Sequence, residues 1–218
     1  LRHPNIAQYD MSSLRVFFCA GAALPADFAK EVEEKMGCRI VTSFGVLEGC
    51  PISLTSYDDS DAVRRTSVGR PYPGNEVKLV DEDGREVPEG ETGEFIVRGP
   101  FTAGGLYKDP EATLKMWGGK KDGWCATGDL GKIDDAGNLY ILGRRKDIII
   151  RGGQNIAPAE VEALLVTHPK VVNVAIVAMP DPVMGEKACA CVIAKPGQEF
   201  TFDEMVSFLK EKGIAPYK

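Results

Sequence analysis

The sequence predicts an α/β region joined to a β-rich region, followed by a small α+β domain. A strand–helix–strand order opens the chain, strand–turn–strand patterns occupy its middle, and a helix, two strands and a helix follow one another at its end. Of the 218 residues, we assign 1–67 to the α/β part, 68–145 to the β-rich part and 146–218 to the small domain. The first two parts together form one larger domain, 1–145.

Two apolar strands flank the first predicted helix. Residues 14–20 form a nearly continuous apolar run that stops at Gly21, which predicts a buried, parallel strand. Residues 39–44 are predicted to form the next strand. Because a strand–helix–strand unit makes its strands parallel, the turns after both strands lie at carboxyl ends, where open α/β sheets bind ligands.

Helical signals separate these two strands. Pro25 begins the helix and Gly37 ends it, in agreement with the preference for proline in the first helical turn and for glycine after the last. Apolar residues recur every four positions and predict the buried face, namely Phe28, Val32 and Met36.

The middle of the chain consists of predicted strands and tight turns. Asp83-Gly84 separates a strand from its return and predicts a hairpin, and residues 135–138 separate another pair. Such a succession is typical of a small barrel or a curled sheet. The predicted strands are 76–80, 85–87, 93–98, 131–134 and 139–142.

The final region combines two helices with two strands. Pro158 begins the first helix, and Thr201 with Glu204 three residues later predicts a capping box before the second. Apolar runs of strand length lie between the helices, at 171–178 and 188–194.

Composition and charge exclude several classes of protein. Apolar residues make up 44% and charged residues 27%, the usual mix for a chain with a buried core. With 26 basic and 32 acidic residues the net charge is −6, which argues against general nucleic-acid binding. The longest uncharged stretch, Val16 to Ala26, is too short to span a bilayer. No targeting segment follows Leu1, so we expect a cytoplasmic protein without a transmembrane segment.

Cysteine and histidine usage argues against a zinc site. None of the six cysteines forms a C-x-x-C pair, and the chain has two histidines. Cys189 and Cys191 are two residues apart in an apolar run, so we expect them on one strand face as small, buried, reduced side chains. His3 and His168 each precede a proline, and neither has a neighbouring Ser, Cys or carboxylate arranged as a nucleophile–base pair, which predicts turn or capping roles.

Four glycine-containing loops carry candidate functional side chains. Glu48 follows a predicted strand end, where a carboxylate can hold Mg²⁺ beside a phosphate or can simply favour a helix N-terminus. Asp129 can accept hydrogen bonds from the two hydroxyls of a ribose, or form an Asx turn. The cations of residues 143–147 can pair with an anion or form a solvated charge run. Gly152-Gly153 suits a bulge or the close approach of a ligand.

The loops taken together, in their order along the chain, indicate a function more specifically than any one of them does alone. Seven motifs follow one another in the order Ala20–Pro25, Phe44-Gly45-x-x-Glu48, Gly69-Arg70-Pro71, Gly93-Glu94, Thr127-Gly128-Asp129, Gly143-Arg144-x-Lys146-Asp147 and Gly152-Gly153-x-Asn155. Over essentially its whole length the chain resembles the AMP-forming adenylating superfamily. That superfamily includes acyl-CoA synthetases, aryl-acid ligases, adenylation domains of peptide synthetases and beetle luciferases.

The resemblance implies an ATP-dependent ligase. A carboxylic acid attacks the α-phosphate of ATP, and a thiol then takes the acyl group from the adenylate. The implied cofactors are ATP or AMP, Mg²⁺ and coenzyme A. Residues 1–145 correspond to the C-terminal part of the large adenylate-forming domain, and residues 146–218 to most of a small, mobile C-terminal domain.

The same resemblance implies roles for particular residues. The implied nucleotide-binding residues are Gly21, Ala22, Ala23, Phe44, Gly45, Asp129 and Arg144. The first three match the loop against which adenine lies, the next two an aromatic–glycine pair beside adenine, and the last two the ribose contacts. Glu48 matches the magnesium-associated glutamate. Lys146 matches the hinge between the two domains, and Gly152 and Gly153 match a loop that swings in to line the thiol channel.

Some motifs do not decide which thiol receives the acyl group. The family usually has a threonine at the position of Leu47, and leucine cannot donate a hydrogen bond to the α-phosphate. Residues 148–156 are most similar to acid–CoA ligases, whereas Leu47 and residues 98–102 are similar to the aryl-acid group. We favour an acid–CoA ligase. The alternatives are an aryl-AMP ligase that loads the phosphopantetheine of a carrier protein, and a non-catalytic nucleotide-binding module.

Two family motifs have no counterpart in the sequence. The phosphate-binding loop would precede Leu1, and the lysine that stabilises the adenylation transition state would follow Lys218. We therefore expect a truncated enzyme that does not adenylate an acid by itself.

Overall fold

The computed structural model describes residues 1, 3, 5–22, 24–49, 51–88, 90–118 and 122–218. These residues divide into two compact units, Leu1–Ile141 and Leu142–Lys218. Ala23, which we expected in the adenine-binding loop, and Cys50 lie outside the described residues. No helix in the described part of the chain is long and apolar enough to cross a membrane.

The first unit begins with a 3-10 turn, Ile6–Gln8, and a four-stranded sheet. The strands of this sheet, in their spatial order, are β1 (Val16–Ala20), β2 (Arg39–Phe44), β3 (Ser53–Leu54) and β4 (Arg70–Pro71). β1 and β2 pair in parallel, from Val16 beside Arg39 to Ala20 beside Ser43, and the other two pairs are antiparallel. The prediction of two parallel strands around a helix is confirmed, so the turns after β1 and β2 lie at carboxyl ends.

Helix α1 (Ala26–Met36) connects β1 to β2 and ends where the sequence predicts. Gly37 has a φ of 65°, a left-handed conformation that glycine adopts readily after a helix. Ala29 and Val32 are buried in the cluster that α1 forms with β2. The prediction that Phe28 lies on the buried face is wrong: the buried stripe begins one residue later, at Ala29, and Phe28 is 46% exposed.

β1 lies at one edge of this sheet and is more exposed than its sequence predicts. Phe17 is 40% exposed and Phe18 is 58% exposed, so the expectation of a buried strand is wrong. Within the described residues β1 pairs with β2 along one side only, and Cys19 is the β1 side chain that packs on the cluster around α1. The apolar composition of a strand predicts that it will pair, but its burial depends on which elements cover its faces.

A buried ion pair joins α1 to the short helix α2 (Asp61–Thr66). The Arg64 guanidinium is 2% exposed and pairs with Glu33, whose carboxylate also accepts the Ile40 N–H at 2.9 Å. Burial raises the pKa of Glu33, but the hydrogen bonds from Ile40, Arg64 and Arg65 outweigh it and hold the pKa below its usual value. The cluster ties α1 to both β2 and α2.

A second sheet completes the first unit. Its strands lie in the order β5 (Glu76–Val80), β6 (Gly93–Arg98), β7 (Cys125–Ile133) and β8 (Leu139–Arg144), and helix α3 (Pro110–Trp117) connects β6 to β7. β6 pairs in antiparallel fashion with both neighbours. The predicted return strand at 85–87 is reduced to one bridge between Val80 and Glu86. β7 is longer than predicted and already includes Asp129, and β8 runs across the division between the units.

The second unit is a four-stranded antiparallel sheet with two helices. Its elements are β9 (Ile149–Arg151), β10 (Gln154–Ile156), α4 (Pro158–Leu165), β11 (Val171–Asp181), β12 (Gly185–Ala194) and α5 (Phe202–Glu211), with the strands in the order β10-β9-β12-β11. Thr201 caps α5 as predicted, because its hydroxyl accepts the Glu204 N–H at 3.3 Å. Residues of α4 and α5 form one core with the inner face of the sheet.

The outer face of this sheet corrects one prediction about the cysteines. Cys189 and Cys191 lie opposite Val177 and Ala175 on the same face, as expected from their spacing. However, Cys191 is exposed and Cys189 is only partly buried. The reason is that α4 and α5 pack on the other face, which carries Ile176.

Candidate functional site

The predicted site residues fall into both units. The first unit contains Gly21, Ala22, Phe44, Gly45, Glu48 and Asp129, and the second contains Arg144, Lys146, Gly152 and Gly153.

In the first unit, the loops after β1 and β2 are open. Gly21 has a φ of 80°, a Cβ added there would meet no atom within 4 Å, and both Gly21 and Ala22 are exposed. Gly45 is exposed as well, and Leu47 is 94% exposed in the turn that follows. Exposed glycine and alanine main chain leaves room for a flat ring to approach.

Phe44 links the end of β2 to the second sheet. Its ring lies 5.8 Å from the ring of Phe95 on β6, at an interplanar angle of 50°. Phe95 is fully buried, and its carbonyl accepts the hydroxyl of Thr127 at 2.9 Å. Phe95 therefore contacts the end of β2 through its ring and the Asp129 segment through its carbonyl.

The Thr127-Gly128-Asp129 segment bulges out of β7. On β6, Glu94 pairs with Leu130 and Ile96 pairs with Ala126. Three residues of β7 thus lie opposite Phe95 alone. Gly128 has a φ of 76°, which other residues rarely adopt. Bulges of this kind redirect side chains and are common beside functional sites.

Side chains hold the bulge in place. The Gly128 N–H donates to Oε1 of Glu94 at 3.0 Å, and the Asp129 N–H donates to the Thr127 hydroxyl at 3.1 Å. Asp129 itself is 5% exposed. A carboxylate at this position is costly to bury, so its presence points to a functional or structural use.

Glu48 lies in the turn that follows β2. Its carbonyl accepts the Ala103 N–H at 2.7 Å, and the Gly49 N–H donates to the Val46 carbonyl at 3.1 Å. Burial and the negative charge of Glu48 raise the pKa of the Cys125 thiol, at the start of β7, to about 11. The carboxylate of Glu48 therefore lies close enough to β7 for its charge to be felt there.

The donor set around Glu48 fits Mg²⁺ better than a metal held by protein alone. The described residues contain no group of three or more His, Cys, Asp or Glu side chains that could hold a metal ion. Mg²⁺ prefers oxygen ligands and is usually bound through one or two carboxylates, with substrate phosphates and water completing its shell. Glu48 supplies one such carboxylate, which suits an ion whose remaining ligands come from outside the protein.

In the second unit, Arg144 and Lys146 are exposed at the end of β8. Arg144 is the last residue of that strand, and Lys146 lies in the 3-10 turn Arg145–Asp147.

Gly152 and Gly153 form the exposed turn between β9 and β10, with φ values of 56° and 82°. The Gly152 N–H donates to the Met184 carbonyl at 2.8 Å, and the Ile150 N–H donates to Oε2 of Glu186 at 2.8 Å. A Cβ on Gly152 would lie 2.5 Å from the Met184 methyl carbon, the end of a flexible side chain that can move aside, so it is the positive φ that favours glycine here.

Both histidines have the local roles that the sequence predicts. The Nδ1 atom of His3 accepts the Asn5 N–H at 3.3 Å. His168 is buried, its Nδ1 accepts the Lys170 N–H at 3.2 Å, and its ring lies 4.6 Å from the Phe200 ring.

Sequence reasoning overlooks what supports Asp129. Glu94 and Thr127 belong to the motifs of the sequence, but neither residue carries a predicted function there. One signal points to Glu94: it is an acid between glycine and an apolar run, in a strand whose remaining pattern predicts burial.

Two models of one enzyme family match the chain, one in each unit. Residues 1–107 match the family model for AMP-binding enzymes, and residues 160–218 match the model for the C-terminal domain of AMP-binding enzymes. The chain belongs to the AMP-binding enzyme family.

Individual relatives cover almost all of this chain. The medium-chain fatty-acid–CoA ligase of Escherichia coli (strain K12) is 37% identical over 210 residues, which are 96% of this chain and 37% of the relative. The 2,3-dihydroxybenzoate-AMP ligase of Bacillus subtilis (strain 168) is 37% identical over 210 residues, 96% of this chain and 38% of the relative. ATP-bound MatB from Rhodopseudomonas palustris matches with a TM-score of 0.85 and 33% identity, over 93% of this chain and 40% of MatB. The chain thus spans about two fifths of the length of these relatives.

Proposed function

We propose that these residues form the nucleotide-recognition part and the small domain of an ATP-dependent acid–CoA ligase. The reaction joins a carboxylic acid to AMP with release of pyrophosphate, and then transfers the acyl group to coenzyme A. The observation that carries this proposal is Asp129, a carboxylate that is 5% exposed and stands in a bulge held by two other side chains.

The geometry supports separate roles around the nucleotide. Asp129 accepts hydrogen bonds from both ribose hydroxyls, since an ionised carboxylate has acceptor positions for two donors. Adenine lies against the open main chain of Gly21 and Ala22 and beside Phe44 and Gly45. Ala23, the third residue of the first motif, lies outside the described residues. We assign a further ribose contact to Arg144, the last residue of β8.

Glu48 is the residue that holds Mg²⁺ in this proposal. When bound, the ion offsets negative charge on the phosphates during attack by the carboxylic acid. The residue's own part is to keep a single carboxylate at the end of β2, where phosphates of a bound nucleotide supply the remaining oxygen ligands.

The second unit serves the second half of the reaction. Lys146 lies in a short turn just after β8, a place where a few backbone torsions can absorb a domain movement. Gly152 and Gly153 supply an exposed, side-chain-free turn along which the thiol of coenzyme A can pass.

An aryl-AMP ligase that loads a carrier protein is the second candidate. Leu47 favours it because leucine replaces the usual threonine, and 2,3-dihydroxybenzoate-AMP ligase is among the relatives. Formation of a free acyl-CoA from coenzyme A supports the first candidate, whereas transfer only to a phosphopantetheinylated protein supports the second. We also propose a cytoplasmic location, where the free thiols of the five described cysteines would stay reduced.

Replacement of Asp129 tests the nucleotide assignment. We expect Asp129→Ala to weaken binding of ATP and AMP by about 10- to 100-fold, because it removes hydrogen bonds to a charged acceptor. The measurement is calorimetry on the complete protein, since we propose that these 218 residues alone do not adenylate. Asp135→Ala, at an exposed position in the next turn, is the matched control. Unchanged affinity in Asp129→Ala would refute the ribose assignment, and binding without ATP–pyrophosphate exchange would favour a non-catalytic module.

A further inference from the structure

Glu94 is a buried acid that the proposed reaction does not use. It is 8% exposed on β6, in a strand whose other central residues are apolar. An ionised side chain in such a place is unfavourable unless hydrogen bonds compensate it. The Gly93–Glu94 pair is also one of the motifs to which the sequence alone assigns no role.

Glu94 supplies a hydrogen-bond acceptor that the main chain of the neighbouring strand β7 requires at its bulge. Where β7 bulges, its main chain leaves the regular ladder, and a buried N–H then requires another acceptor. Oε1 of Glu94 accepts the Gly128 N–H at 3.0 Å. Gly93, the preceding residue, packs closely against β5 on the other side of β6, since a Cβ there would lie 2.9 Å from the Val80 carbonyl oxygen.

Thr127 completes the support from within the bulge. Its hydroxyl donates to the Phe95 carbonyl at 2.9 Å and accepts the Asp129 N–H at 3.1 Å. The N–H groups of Gly128 and Asp129 are therefore both bound by side chains. The shape of the bulge, and with it the placement of the Asp129 carboxylate, depends on these two side-chain acceptors.

We propose that Glu94 is a positioning residue for Asp129. Its carboxylate fixes the Gly128 N–H, and the bulge so formed presents Asp129 to the ribose of the nucleotide. Thr127 performs the same task through the Asp129 N–H. This inference rests on the proposed function, because it takes Asp129 as the ribose-binding group.

The test compares KM for ATP and kcat in ATP–pyrophosphate exchange by the complete protein. Glu94→Met keeps the length of the side chain and removes the acceptor, so we expect KM to rise about tenfold, the equivalent of one lost hydrogen bond. We expect kcat to change less than about twofold, because the ribose contact is made equally before and during the reaction. Glu94→Gln retains an oxygen acceptor and should restore KM to within about threefold of the unaltered protein.

A double mutant separates positioning from general damage. In the Asp129→Ala background, Glu94→Met should change KM by less than about twofold, since the group that it positions is already absent. Glu91→Gln, at an exposed site three residues earlier, is the control. If Glu94→Met fails to fold, Thr127→Val against Thr127→Ser poses the same question with less loss of shape.

The outcomes distinguish this inference from the proposed function. If Asp129→Ala leaves KM for ATP unchanged, the ribose assignment itself is wrong. If Asp129→Ala raises KM but Glu94→Met does not, or if the two effects multiply in the double mutant, the positioning role is overturned.

Discussion

Two glycine turns of this protein have similar torsions and very different surroundings. Gly128 has a φ of 76°, and Gly152 and Gly153 have φ values of 56° and 82°. Gly128 lies inside a paired strand, where acceptors on Glu94 and Thr127 bind the main chain of the bulge. The turn between β9 and β10 is exposed, and a main-chain hydrogen bond from Gly152 to Met184 anchors it.

This difference separates two uses of the same residue type. A turn bound by buried side chains keeps one geometry, which suits recognition of a rigid group such as a ribose. An exposed turn with few contacts opens at low free-energy cost, which suits a segment that must move during a reaction cycle. We therefore expect changes in the bulge to affect adenylation and changes in the β9–β10 turn to affect thiol transfer.

The largest expected effect comes from Glu48, which we assign, like the bulge, to the adenylation half of the reaction. Glu48→Gln removes the charge that we assign to Mg²⁺ and should slow ATP–pyrophosphate exchange by about 100-fold or more. Thioester formation from a supplied acyl-adenylate should change far less, because pyrophosphate has already left. Glu82→Gln, in an exposed turn, serves as the control. An equal loss in both half-reactions would contradict the assignment of one region to adenylation and of the β9–β10 turn to thiol transfer.

The next effect concerns Cys125, four residues before Asp129. Its pKa is raised from 9.0 to about 11, so the folded protein binds the thiol proton more tightly than the unfolded chain does. Between these two pH values, the free energy of unfolding should therefore fall with rising pH, by about 1.4 kcal/mol for each unit from this group. Urea titrations of Cys125→Ala should lack that contribution. Cys191→Ala, which removes an exposed thiol, should retain that contribution. If the free energy of unfolding depends equally on pH in the unaltered protein and in both variants, the Cys125 thiol is not buried as described.

The smallest expected effect compares the two turns directly. Gly128→Ala and Gly153→Ala both place a side chain at a positive φ with no atom within 4 Å of its Cβ. Each should lose about 1–2 kcal/mol of stability in thermal or urea unfolding from backbone strain alone. Gly128→Ala should also raise KM for ATP, because it disturbs the bulge that presents Asp129, whereas Gly153→Ala should act on thioester formation. If both variants slow the same half-reaction, the two turns do not serve different half-reactions.

Much of the fold followed from local signals. Gly37 and Thr201 terminate or begin helices through their own main-chain and hydroxyl chemistry, so their positions were readable from sequence. The parallel pairing of β1 and β2 followed from the helix between them.

Burial was harder to predict because it depends on distant parts of the chain. Phe17 and Phe28 are apolar and regularly spaced, yet both are exposed at least 40%. The exposure of Cys191 depends on which face of the sheet α4 and α5 cover.

The candidate site shows the same limit. Glu48 and Asp129 are predictable because each lies in a recognisable glycine-containing motif. The bulge could not be read from sequence, since it is defined by the register between β6 and β7. Glu94 lies 34 positions from Gly128, so no local sequence pattern predicts the hydrogen bond between them.

The edge strand β1 has a consequence for the behaviour of these residues in concentrated solution. Its five residues, Val16–Ala20, carry no charge, and the described part of the chain places no strand on its outer side. An uncharged, apolar edge offers a template on which a strand from another molecule can add. Self-association of the isolated 218 residues would thus begin at Phe17 and Phe18 and grow with protein concentration, whether or not a nucleotide is bound. A lysine on this strand would improve colloidal stability without touching the bulge.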